Sequence, residues 1–409
     1  MAGPRRARTV GRRIVRRWCV PPAVMRGPGE TVEGHGILGE VPGELGLLLW
    51  GTARDVALWG GSPPGRRGKL FADGSGDGRL AGLVATEIPP AISASVDTVH
   101  GMLTLGARAD ASILCICCLE VAAWAHAGGM AETAIAFAQA GAVAAPEFGE
   151  AALHTGIYAL RAGQVARAGT WLRRAVGVSR RERNRPAYAA ALVELGALYE
   201  GGGSAEQAER FFRLGYRAGK RFAARSARMR AAHGLFRLAH ARGDAASAAQ
   251  FALAAQRVYE PDAAGGPALL LDLARFWTDQ CQPDRARSAL RRLAPARGLL
   301  APAEQLASAA LAARAFAVPG SRRKGLATAS AAVAWGMMEG AGIAEGVRFA
   351  AALDLAHAAR IACDLVAFTR AKRAVLTLAP QAAYPAVAAE VADLWPVGEK
   401  PARNMERAS

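Results

Sequence analysis

Arg230, His233, Arg237 and His240 follow one another at spacings of three, four and three residues. On a helix such spacings bring side chains onto one face, so these four would form a single stripe of basic groups. A guanidinium holds a carboxylate through two parallel hydrogen bonds, and imidazole donates or accepts according to its protonation. The chemistry that suits the stripe is capture of a carboxylate. The competing explanation is pairing with Asp or Glu on adjacent helices, or plain exposure to water.

Other chemical motifs fail on spacing. Cys115, Cys117 and Cys118 include a C-x-x-C, but no second cysteine pair and no histidine at ligand spacing supports a four-ligand metal site. They read as small buried hydrophobes. Asp73 to Gly78 opens like a calcium loop, yet the position that should carry the bidentate acid is Val84. Gly65 to Lys69 has glycine spacing too short for a phosphate loop, and Leu70 stands where a magnesium-binding hydroxyl is needed. No Gly-x-Ser-x-Gly and no local Cys-His pair is present. The expectation is a protein without catalytic activity, cofactor or metal.

Charge narrows the partners. The chain has 409 residues and a net charge of +17, with only five lysines among its bases. Residues 1–30 hold eight arginines and one glutamate, and residues 161–230 hold sixteen bases and five acids. An excess so localised attracts anions such as acidic peptide, nucleic acid or lipid headgroups. One group of bases, Arg210, Arg213, Arg217, Lys220 and Arg221, runs on into Arg225 and Arg228. Glu206 and Glu209 precede it, an order that also suits the helix dipole. Six cysteines are too few for a disulfide framework. The start lacks the apolar run of a signal peptide, and no uncharged stretch reaches membrane-spanning length. A cytoplasmic protein is expected.

The elements that must position these residues are helices. Apolar residues make up 52% of the chain, much of it alanine, and aromatic residues only 6%. Helices are expected at 43–60, with Arg54 and Asp55 turned away from its apolar stripe, and from Ile92 towards Leu105. Between Leu192 and Lys220 two amphipathic patterns flank Gly201, Gly202 and Gly203, and Ser204 with Gln207 suggests a capping box. Small residues at Gly196 and Ala208 allow close helix approach, with Tyr199 and Phe212 beside them. Aligned on their turns, Gly129, Gly163, Gly203, Gly243 and Cys281 lie 34, 40, 40 and 38 residues apart. Five positions on come Ala134, Ala168, Ala208, Ala248 and Ala286. Nine on come Ala138, Leu172, Phe212, Ala252 and Leu290. Such a period means stacked helix pairs.

Over about residues 109–295 this pattern resembles the tetratricopeptide repeat (TPR) family, with longer spacings than the family's 34 and with aromatic positions diluted by alanine. The resemblance implies an all-α, right-handed α-solenoid with helical extensions at both ends. The expected organisation is a disordered basic arm at 1–40, a helical cap and loop at 41–108, repeats at 109–300, degenerate helical repeats or a cap at 301–396, and a tail. Beyond Ala301, helices are expected near 302–316, 322–338, 343–360, 363–378 and 381–395.

In the family, the first helix of each repeat lines a concave groove. That register would place Arg230, His233, Arg237 and His240 in the groove, with Arg275 at the position equivalent to Arg237 and with His126 and Arg161 near its wall. Two readings stay open. One is a protein–protein interaction scaffold that takes a peptide or helix of a partner, an acidic segment among the candidates. The alternative is a nucleic-acid-associated regulator that uses the basic arm and the arginine-rich helix face.

Overall fold

The computed structural model describes residues 36–70, 86–259, 266–317, 324–340 and 342–379. Among them are helices and turns but no strand. Eighteen α-helices follow in order: α1 (Ile37–Glu40), α2 (Gly43–Gly61), α3 (Pro64–Arg67), α4 (Pro90–Thr104), α5 (Ala111–Ala127), α6 (Ala131–Ala144), α7 (Gly149–Arg161), α8 (Val165–Arg181), α9 (Arg185–Gly201), α10 (Ala205–Arg221), α11 (Arg225–Ala241) and α12 (Ala245–Arg257), then α13 (Gly266–Asp279), α14 (Pro283–Leu293), α15 (Pro302–Phe316), α16 (Lys324–Met338), α17 (Glu345–Ile361) and α18 (Leu365–Leu378). The chain divides into two compact units, with the boundary between Val258 and Tyr259. This boundary falls inside the 109–300 stretch that reads as one array, just before the Pro- and Gly-rich segment 261–267.

From α5 onward each unit is a succession of TPR-like pairs, α5/α6 through α11/α12 in the first and α13/α14 through α17/α18 in the second, and within a unit each of these helices packs on its chain neighbours. The turn inside each pair explains the periodicity. Gly129, Gly163, Gly203, Gly243 and Cys281 all sit at positive φ, between 53° and 76°. The residue after each donates its N–H to the carbonyl five positions back, as Ser204 does to Tyr199 at 2.9 Å and Gln282 to Trp277 at 2.8 Å. This is the Schellman closure of a helix C-terminus. Cys363 makes the same turn between α17 and α18, with φ 54°, so the paired architecture continues past the point where the sequence pattern fades. The alanines five positions after the first five turns are fully buried. The residues nine positions after them, Ala138, Leu172, Phe212, Ala252 and Leu290, are also buried.

Phe212 shows what the small residues do. Its ring lies between Gly196 on α9 and Gly234 on α11, where an added Cβ would come within 2.6 Å and 2.5 Å of ring carbons. Tyr199 instead stacks on Phe211, with centroids 5.3 Å apart.

Three details differ from expectation. Ser204 makes no side-chain cap bond. Asn184 and Asp244, at similar backbone angles, do cap their helices, because their oxygens reach one bond further than a serine hydroxyl. Asp55 does not face outward; it is 2% exposed and accepts from Arg54 at 3.0 and 2.9 Å. The reason is that α2 is not a surface helix with one open side, since it packs on both α4 and α6. Finally, residues 36–40 fell within the expected disordered arm, yet α1 is ordered there. The Glu40 carboxylate accepts from the amides of Glu132 and Thr133, each at 2.8 Å, which places an anion at the N-terminus of α6. The calcium-like loop at 73–78, the helix expected at 381–395 and residues 1–35 lie outside the described residues.

Candidate functional site

In the first unit the first helices of successive pairs, α5, α7, α9 and α11, pack side by side. Their shared face carries the residues 13 and 6 positions before each turn. The earlier position holds Ile116, Glu150, Ala190 and Arg230, and the later holds Ala123, Ile157, Ala197 and Arg237. All eight are exposed or half-buried. The surface on α5, α7 and α9 therefore combines small and apolar residues with two exposed acids, Glu120 (between Ile116 and Ala123) and Glu150, and turns basic on α11.

The two arginines are held from the neighbouring helix. Arg230 hydrogen-bonds Glu194 of α9, whose side chain is almost wholly buried. Arg237 grips Glu200 of α9 through two nitrogens, with Nε at 3.0 Å from Oε1. Even so paired, Arg237 keeps 40% of its side chain exposed. His233 is not part of the open face; it is buried at 6% and stacks near Phe236. His240 is exposed and lies parallel to the same ring at 6.0 Å. Two layers earlier, Arg161 donates to His126 Nε2, and the His126 ring packs on Tyr158 at 4.8 Å. Burial, with Arg161 adding to it, lowers the His126 pKa, which keeps that nitrogen an acceptor.

Arg275 belongs to the second unit. There it faces Asp354 of α17 at 3.6 Å. Arg314 of α15 bridges Asp279 and Asp354, each at 3.0 Å. Asp354 is 3% exposed, and burial raises its pKa against the pull of the two arginines. Next to this cluster, burial and the charges of Arg314 and Arg360 push His357 down to about 4.

Of the expected site residues, Arg230, Arg237 and His240 share one helix face. His126 and Arg161 meet each other, and His233 is interior. Sequence reading missed the acids Glu194, Glu200, Asp279 and Asp354 and the base Arg314. A signal for them existed: 194 to 230, 200 to 237 and 279 to 314 are separations of one repeat.

The remaining candidates have simpler surroundings. Cys115, Cys117 and Cys118 are buried free thiols. Burial and three nearby glutamates push Cys115 up to about 12, and burial raises Cys118 well above the usual thiol range. Such thiols stay protonated and unreactive. No cluster of metal-ligating residues occurs among the described residues, and none of their helices is long and apolar enough to cross a membrane. On the outer face of α10, Arg213 and Arg242 of the next turn both pair with Glu209 at 2.6 Å, so part of that basic face is neutralised internally.

No family model and no curated protein matches the chain. Among solved structures, the Rap conjugation gene regulator of plasmid pLS20, in complex with the Phr* peptide, aligns over 85% of this chain and 98% of its own, with 11% identity and a TM-score of 0.46. A Rap protein complexed with competence and sporulation factor aligns over 84% and 100%, with 9% identity and a TM-score of 0.42.

Proposed function

We propose that the chain is a non-catalytic TPR-like interaction scaffold, and that the first-helix face of its first unit takes a peptide segment or helix of a partner protein. The observation that carries this reading is the run of small and apolar residues across α5, α7 and α9, ending on two guanidiniums on α11. Ala123, Ile157, Ala190 and Ala197 leave room for ligand side chains. Arg230 and Arg237 would meet a carboxylate at one end. Because both arginines already hold a glutamate of this chain, an acidic ligand shares them rather than finding them free. His240, His126 and Arg161 would line the flanks, and Arg275 would act within the second unit.

The test begins with a peptide-library screen against the whole chain. The best binder is then titrated against Arg230→Ala with Arg237→Ala, and against Arg210→Ala with Arg213→Ala on the outer face of α10. Losing charge-assisted contacts in the first pair should weaken binding about ten- to a hundred-fold, and the second pair should change it little. Glu200→Gln, which releases Arg237, should tighten an acidic ligand. Circular dichroism must accompany the first pair, since Arg230→Ala leaves Glu194 buried and unpaired. Equal small losses in both pairs, vanishing at moderate salt, would overturn the reading.

A further inference from the structure

The turns that join one pair to the next carry a second basic surface, distinct from the first-helix face. Between α8 and α9 it displays Arg180, Arg181, Arg183 and Arg185, and between α10 and α11 it displays Lys220, Arg221 and Arg225; all are exposed. The two turns meet at Phe222. The guanidinium of Arg185, from the first turn, lies 5.2 Å from its ring centroid, and that of Arg221, from the second, lies 5.5 Å away. The acid among them, Glu182, turns aside to accept from the Gly149 amide at 3.1 and 3.2 Å.

Helix stability accounts for only part of this patch. Arg180, Arg181, Lys220 and Arg221 lie in last turns, where bases favour the helix dipole. Arg185 and Arg225 occupy the first positions of α9 and α11, where the dipole opposes them. Eight other helices, α1, α2, α6, α7, α10, α14, α15 and α17, carry an acid in their first turn. Arg183 adds strain, since its φ of 62° is a conformation that favours glycine. Three cations thus stand on one ridge against local preference, a pattern that marks function better than folding.

We propose that this ridge binds the phosphate backbone of a nucleic-acid duplex without reading its sequence. A duplex presents one negative charge per about 1.7 Å of axis, a density that engages fixed cations on two adjacent turns together. Guanidinium suits phosphate oxygens in bidentate fashion. A single strand fits less well, because base stacking needs an open aromatic face and the Phe222 ring already carries two guanidiniums. A lipid surface fits less well too, since none of the large exposed apolar side chains lies in these turns.

The experiment is fluorescence anisotropy of the whole chain with a mixed-sequence 20-base-pair DNA duplex, from 50 to 200 mM salt. The variants are Arg183→Gly/Arg185→Gln/Arg225→Gln and a charge-matched control on α14, Arg285→Gln/Arg291→Gln/Arg292→Gln. Each phosphate contact adds about 0.9 to the slope of log affinity against log salt, so the ridge variant should flatten that slope by about 2.7 and the control by far less. Residues 1–30 contribute equally to both and cancel in the comparison. Arg183→Gly alone should flatten the slope by about 0.9 while melting higher than the parent. A structural role would move both readouts in the same direction. A duplex RNA of the same sequence separates the two duplex types. Equal flattening by ridge and control variants would overturn the proposal, as would poly-glutamate or phosphatidylserine vesicles bound as tightly with the same dependence on the three arginines.

Discussion

Phe212 allows a test in which one chemical change, Gly→Ala, has opposite signs at different sites. Gly196 and Gly234 lie inside α9 and α11, where alanine improves helix propensity by about 1 kcal/mol. At both sites, however, the new Cβ would sit 2.6 and 2.5 Å from Phe212 ring carbons, roughly 1 Å inside ordinary contact. The ring is 1% exposed and cannot swing into solvent without giving up its burial. Overpacking of this kind costs about 1–3 kcal/mol. We take the upper half of that range, because relief requires shifting a helix against its neighbour. The net expectation for Gly196→Ala or Gly234→Ala is a loss of about 1–2 kcal/mol. At Gly177 on α8 the nearest heavy atom to a new Cβ is the Arg181 Nη1 at 3.9 Å, and Gly177→Ala should gain about 0.5–1 kcal/mol.

Urea denaturation followed by circular dichroism measures all three. Phe212→Leu then completes a double-mutant cycle with Gly196→Ala. The shorter side chain makes room for the methyl, so the double variant should exceed the sum of the singles by at least about 1 kcal/mol. If Gly196→Ala and Gly234→Ala stabilise as Gly177→Ala does, or if the cycle shows no coupling, Phe212 is not wedged between these helices and the pair-to-pair packing is wrong.

Two further outcomes follow from the turns and the buried charges. Cys281 and Cys363 hold the left-handed turn conformation used elsewhere by glycine, so Cys281→Gly or Cys363→Gly should raise stability by up to about 1 kcal/mol, whereas Gly203→Ala should lower it by a similar amount; thermal melts in the reverse order would refute the turn assignment. His357 titrates at about 4 in the fold against roughly 6.5 unfolded. As pH falls the unfolded chain takes up the proton first, so stability present above about 6.5 is lost between about 6.5 and 4. Discounted for its partial exposure, the loss is roughly 1–2 kcal/mol, and the raised pKa of Asp354 offsets part of it near the acid end. The urea midpoint at pH 7 and pH 5 should fall less in His357→Asn than in the parent, and equal falls would exclude this histidine as the cause.

The turns were legible because each imposes a conformational demand at one position and a steric demand five and nine positions later. Gly203, Ala208 and Phe212 state all three. The capping of α10 was less legible, since Ser204 has the right residue type at a backbone geometry its short hydroxyl cannot use. The charged face was the least legible. Residues such as Arg230 and Arg237 reveal their common face through spacing on one helix, but their partners depend on how α9 and α11 are rotated against each other. Glu194 is placed between Val193 and Leu195 and reads as an interruption of a core segment. Only the packed pair shows that it is nearly buried because Arg230 covers it.

Those pairings have a direction. Glu194, Glu200 and Glu209 come from α9 and α10, and the arginines they hold, Arg230, Arg237 and Arg242, come from the following pair. Between these two pairs, bases of the later pair are thus held by acids of the earlier one. The helices α11 and α12 contain no Asp or Glu, so within the first unit this relay stops with them. An anionic segment arriving on the first-helix face would take the place of the acid in that relay, and α11 is where its carboxylates would be least repelled. Neutralising Glu200 therefore tests more than one contact. It removes the chain's own competitor while leaving Arg237 in place, so a ligand that continues the relay must bind Glu200→Gln more tightly. A ligand held by the apolar residues of α5 and α7 alone would not register the change.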